Sequence, residues 1–105
     1  MFDILYHRDY YKDINKIKDR DTLELLESAI EELSRRGNNI GMPLQKKLKY
    51  DLKGRYELIP KQWRIFYCCR DNILFVIGFV YKKKSMQIPK KIKKRALRFL
   101  KELKT

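Results

Sequence analysis

A chain of 105 residues supports one hydrophobic core but not two, so residues 1–105 are read as a single domain. The net charge of +13 is unevenly held: residues 1–42 carry 7 Lys/Arg and 9 Asp/Glu, residues 43–105 carry 19 and 4. A basic second half points to a polyanionic partner, nucleic acid before membrane, because the large apolar residues are needed for a core and not for lipid. No apolar run reaches the length of a membrane span, and Asp3 interrupts the N-terminal apolar stretch, so a cytoplasmic protein without a leader is expected.

In chain order, Phe2-Asp3-Ile4-Leu5-Tyr6 alternates as a short first strand. A helix is expected from about Asp9, with Tyr10, Ile14 and Ile17 at spacings of four and three. A second follows, with Asp21 as N-cap, Glu24 in the capping-box position, and Leu23, Leu26, Ile30 and Leu33 as its apolar stripe. Gly37 stops it. The two helices are expected to run antiparallel, with one stripe buried and an acidic outer face, as scaffold. Residues 37–43 are loop by composition, and Leu44 to Gly54 leads into a sheet while carrying Lys46, Lys47, Lys49 and Lys53. Strands are expected at roughly 55–59, 62–69 and 73–81, with a turn at Arg70-Asp71-Asn72. After Lys82-Lys83-Lys84, Pro89 opens a last helix whose apolar stripe is Ile92, Ala96, Phe99, Leu100 and Leu103. The class is α+β: an N-terminal strand, two helices, a three-stranded antiparallel meander and a C-terminal amphipathic helix.

Charges inside the apolar strands mark the candidate site. Alternation puts Arg64 on the face opposite Trp63, Ile65 and Tyr67, and a fixed guanidinium among lysines suits a phosphate. Glu57 is the one acidic residue in the meander's strands, which makes it either a candidate base or a structural partner of Arg64. The lysines of 46–53 and 82–84 suit an RNA backbone, and those of 90–101 suit either ribosomal RNA or an acidic partner segment. Trp63, Phe66, Tyr67 and Phe75 are read as core, Tyr10 and Tyr11 as helix packing, and His7 as a surface residue. Cys68 and Cys69, adjacent on a strand, point to opposite faces, so they are read as reduced thiols. The basic half holds no acidic cluster suited to a magnesium ion, and no metal or other cofactor is expected.

Four stretches together carry a family resemblance: Gly41-Met42-Pro43 with Lys47-Leu48; Leu52-Lys53-Gly54-Arg55-Tyr56-Glu57-Leu58; Trp63-Arg64-Ile65-Phe66-Tyr67; and Ile77-Gly78-Phe79-Val80-Tyr81-Lys82-Lys83-Lys84 with Gln87 and Pro89. In order and spacing, from about residue 41 to 100, they resemble the RelE/ParE toxin superfamily and its HigB-like, phage-derived branch. The resemblance implies a type II toxin that cleaves mRNA, usually on the ribosome, and is neutralised by a cognate antitoxin. That antitoxin is expected to be a HigA-like helix-turn-helix protein, and the complex a heterotetramer. The implied metal-independent chemistry uses the 2′-oxygen as nucleophile on the adjacent phosphate. Arg64 would stabilise the phosphorane, Lys82 or Lys83 would add charge or protonate the leaving oxygen, and Glu57 would act as base. Lys46, Lys47, Lys49, Lys53, Arg55, Lys61 and Lys84 would hold RNA. The family's Glu-Leu-Arg is Glu57-Leu58-Ile59 here, for which Lys61 or Arg55 would have to stand in, and Tyr81 is the nearest late tyrosine. Two alternatives remain: a ParE-like gyrase inhibitor on the same scaffold, and a non-catalytic RNA-binding module.

Overall fold

A computed structural model describes residues 2–70, 74–84 and 88–103. The predicted turn at Asp71-Asn72 and the family position at Gln87 lie outside the described residues. The elements are β1 (Asp3–Tyr6), α1 (Arg8–Lys16), α2 (Arg20–Arg36), β2 (Gln45–Lys47), β3 (Tyr56–Leu58), β4 (Trp63–Arg70), β5 (Leu74–Lys82) and α3 (Lys90–Leu103). The expected α+β class holds. The meander, however, has four strands rather than three, and β1 joins it to make a five-stranded sheet in the order β1-β5-β4-β3-β2. The β1–β5 pairing is parallel and the rest are antiparallel. The additional strand β2 has no apolar alternation to announce it, because a lysine-bearing edge strand needs none and is protected by its charge.

Local chemistry sets the helix ends. α2 is capped by Asp19, not by Asp21: the Asp19 carboxylate accepts from the Thr22 N–H at 3.2 Å and the Thr22 hydroxyl at 2.6 Å. Asp21 lies instead in the first turn, where a negative charge favours the N-terminal end of the helix dipole. Gly37 ends α2 at φ 61°, and a Cβ there would meet the Phe2 ring at 2.6 Å, so glycine answers both demands. α1 ends at Lys16, and Ile17 is its C-cap while still packing against the core.

The sheet carries a hydrophobic layer on each face. Leu26, Ile30 and Leu33 of α2 and Tyr10 of α1 cover Leu58, Ile65, Tyr67, Phe75 and Ile77 on one side. Ala96, Phe99 and Leu100 of α3 cover Phe66, Cys68, Val76 and Phe79 on the other. Along β4 and β5 the register slips after Phe66↔Phe79, because Tyr67 pairs with Ile77, and Gly78 is left without a partner. That bulge lies under α3, where a Cβ on Gly78 would stand 3.0 Å from the Phe99 ring.

The acidic residues of α1 do not form a solvated outer face. Asp13 accepts from the Val80 N–H of β5 at 2.9 Å and from Arg95 of α3 at 2.7 Å. It therefore caps the length of β5 edge that β1 leaves open and also fastens α3. His7 is likewise not a free surface residue. Its Nδ1 accepts from the Asp9 N–H at 3.1 Å, capping α1, and its Nε2 lies 2.8 Å from the Glu102 carboxylate on α3.

Candidate functional site

Pleating places the site on the sheet face that carries α3. One row across the strands runs Lys46, Glu57, Phe66, Phe79, and the neighbouring row pairs Arg64 with Tyr81. Lys83 follows Tyr81 by two residues, and its N–H donates to the Gln62 carbonyl at 2.7 Å, which extends the β4–β5 pairing one step beyond β5. Thus four strands converge Lys46, Glu57, Arg64, Tyr81 and Lys83 from distant points in the sequence.

Glu57 lies at the centre and is 1% exposed. The Tyr81 hydroxyl donates to its Oε2 in a short hydrogen bond, while Oε1 has no partner among the described residues. Its partner is therefore Tyr81 and not Arg64. Burial raises the Glu57 pKa above the ordinary carboxylate range, opposed by the Tyr81 hydrogen bond and by the charges of Lys46, Arg64 and Lys83. Tyr81 is raised in turn by burial and by the Glu57 charge. The Lys83 pKa is lowered, first by burial and then by the neighbouring cations Lys46 and Arg64, with Glu57 pulling the other way.

Arg64 is aimed by the β3–β4 turn. Lys61 adopts φ 56°, and its carbonyl accepts from Arg64 Nη1 at 2.8 Å, with the Trp63 carbonyl accepting at 2.7 Å. Arg64 Nε is buried without a hydrogen-bond partner among the described residues. A carboxylate oxygen and a guanidinium N–H are thus both unpaired within one cationic cluster. Buried polar groups are nearly always satisfied, and among the described residues Glu57 Oε1 and Arg64 Nε are the buried side-chain atoms that the fold itself leaves unpaired.

Lys82 pairs with Trp63, so alternation sets it on the opposite face from Lys83. Lys47, Lys49, Lys53 and Lys84 are exposed. Arg55 donates to the Lys53 carbonyl at 3.0 Å, toward the other end of β3 from the Arg64 row. The Lys61 side chain lines a cleft of about 390 Å³ with Asp19, Asp21 and Trp63. The positive charge acting on Glu57 comes from Lys46, Arg64 and Lys83, and neither Lys61 nor Arg55 is among its sources. Sequence reasoning missed the Tyr81–Glu57 pairing, although Tyr81 shares alternation with Phe79 and Lys83. Trp63, Phe66, Tyr67 and Phe75 are core or packed against it, as expected. Cys68 and Cys69 are free thiols. Among the described residues no helix is long and apolar enough to cross a membrane.

The fold is shared with solved toxin structures. The RelBE2 toxin–antitoxin complex from Mycobacterium tuberculosis matches at TM-score 0.63 and 22% identity, covering 78% of this chain and 98% of that one. The heterotetrameric YoeB–YefM toxin–antitoxin complex from Staphylococcus aureus matches at TM-score 0.63 and 20% identity, covering 81% and 98%. The YafQ H87Q mutant from E. coli matches at TM-score 0.60 and 21% identity, covering 78% and 93%. These likenesses define a RelE-like fold. The model of the family described as "Phage derived protein Gp49-like (DUF891)" matches residues 11–101, and the chain belongs to that family. No curated protein matches the sequence.

Proposed function

We propose that this protein is the toxin of a type II toxin–antitoxin pair and a metal-independent endoribonuclease that cuts mRNA on the ribosome. The observation that carries the reading is the buried Glu57 carboxylate with one oxygen unpaired, set among Arg64, Lys46 and Lys83. Cleavage of RNA needs a base for the 2′-hydroxyl, positive charge for the phosphorane and an acid for the 5′-oxygen. Glu57 Oε1 takes the 2′ proton, the 2′-oxygen bonds to phosphorus, and the bond from phosphorus to the 5′-oxygen breaks. Arg64 and Lys46 hold the phosphate oxygens. Lys83, whose lowered pKa makes it a better acid than an ordinary lysine, protonates the departing oxygen. The products are a 2′,3′-cyclic phosphate and a 5′-hydroxyl.

The RelBE2 and YoeB–YefM neighbours were solved as toxin–antitoxin complexes, one of them a heterotetramer, which supports an antitoxin partner here. We assign a HigA-like helix-turn-helix antitoxin and a cytoplasmic site of action, where translated mRNA is found. The test is induced expression of wild type and Arg64→Ala without antitoxin, reading growth and mRNA 5′ ends. Growth arrest with new cuts inside translated codons, both lost in Arg64→Ala, is the expected result. Arrest with intact mRNA would transfer the reading to a gyrase-directed toxin.

A further inference from the structure

Tyr50 has a conformation and exposure that the core does not explain. Its side chain is 90% exposed, and its backbone sits at φ 56°, in the left-handed region that side-chain-bearing residues seldom enter. The segment is not loose. Leu48 and Leu52, on either side, are both buried under α3. A short 3₁₀ turn over Tyr50–Leu52 is closed by the Lys53 N–H donating to the Tyr50 carbonyl at 3.0 Å. Asp51 is tied to Lys93 of α3 at 3.0 Å, which offsets the one acidic charge of the turn. The backbone of the turn is therefore fixed, and it sets Tyr50 in the wall of a cleft of about 230 Å³ lined also by Lys46, Lys47, Leu48, Lys49 and Ile88. Lys46 belongs both to this cleft and to the Glu57 cluster, so the two are contiguous.

We propose that the Tyr50 cleft is a nucleobase subsite, in which an unpaired RNA base stacks on the Tyr50 ring while Lys46, Lys47 and Lys49 hold the flanking phosphates. The inference rests on the RNA reading of the Glu57–Arg64 site and adds to it the means by which a single strand is laid across it. An exposed ring among cations is the combination that single-stranded RNA uses: stacking is indifferent to sequence, and the lysines follow the backbone. A site for phosphates alone has no use for a tyrosine held in a strained conformation. An acidic peptide would use the lysines, and its loss on removing the ring would not depend on bases.

The experiment measures binding of a 2′-O-methyl RNA oligomer, which cannot be cut, and of an abasic oligomer of equal length, to wild type and Tyr50 variants. Stacking is worth about 1–3 kcal/mol per base, so Tyr50→Ala is expected to weaken RNA binding about 5- to 150-fold. Tyr50→Phe and Tyr50→Trp retain it, and the abasic oligomer binds wild type and Tyr50→Ala alike. Tyr50→Gly separates function from folding: relief of the left-handed strain raises Tm, while RNA affinity falls as in Tyr50→Ala. Unchanged RNA affinity in Tyr50→Ala would overturn the subsite, as would an equal loss for the abasic oligomer. Tyr50-dependent binding of an acidic peptide without RNA binding would also overturn it. Cleavage of unmodified RNA is scored separately, so a protein that binds through Tyr50 without cutting keeps the subsite and loses the ribonuclease. A protein that cuts with Tyr50 indifferent does the reverse.

Discussion

Glu57 is a single carboxylate placed where burial and four neighbouring groups compete. Its pKa is raised in the folded state, so the native protein holds that proton more tightly than the unfolded chain does. The stability this contributes is complete below the ordinary glutamate range and is lost as pH rises through the raised folded value. Above that value the ionised carboxylate is a local cost, and Glu57→Gln is expected to raise stability there, read by urea unfolding across pH, while abolishing cleavage. A stability difference between wild type and Glu57→Gln that does not change with pH would contradict the account. The same sign governs activity. The acid limb of the rate profile should lie above the ordinary glutamate range, and Tyr81→Phe, which removes a hydrogen bond that favours the ionised form, should move that limb to higher pH. The lysine pair divides by alternation. Lys83→Met should reduce kcat about 10²- to 10⁴-fold as a lost general acid, whereas Lys82→Met, on the opposite face, should leave kcat within a few-fold of wild type. Neither distinction was legible in Lys82-Lys83-Lys84, because a run of lysines has no local feature that says which one faces the site.

At the scale of elements, the C-terminal helix depends on α1 for its seat. Asp13 is largely buried and bonds both the Val80 N–H and the Arg95 guanidinium, which also lies 4.5 Å over the Phe79 ring. Asp13→Ala leaves a strand-edge donor and a half-buried cation without their acceptor, a loss on the order of 2–4 kcal/mol. Thermal unfolding should show it, and Asp13→Asn, which can still accept from Val80, should recover part of it. Stability unchanged in Asp13→Ala would mean that β1 and the apolar contacts of α3 suffice. The apolar stripe of α3 was plain in the sequence, from Ile92 to Leu103 at helical spacing. What it would be fastened to was not, because Asp13 lies 82 residues before Arg95 and looks, by local pattern, like any solvated helix acid.

For the whole molecule the governing quantity is charge, gathered in the strands and α3 after an acidic first half. Binding of single-stranded RNA should weaken with salt, its log–log slope shrinking by about 0.7 for each phosphate contact removed. Replacing Lys47 and Lys49 together by Gln should thus lower the slope by about 1.4. A slope indifferent to these two lysines would move the RNA track elsewhere, toward the cations of α3.

Neighbours along the chain are enough to set much of this fold. The helical stripes, the Gly37 stop, the strand content around Trp63 to Phe79 and the division of charge all follow from short-range periodicity and composition. Sequence readings closest to the boundary failed for local reasons too: Thr22 supplies two donors to Asp19, and that cap outcompetes the one expected at Asp21. Tertiary structure alone decided the parallel entry of β1 beside β5, the edge strand carrying Lys46, and the pairing of Glu57 with Tyr81. Those contacts depend on register across three strand pairs and on a one-residue slip at Gly78, and register is fixed by which faces become buried together. No window of sequence holds both sides of that choice.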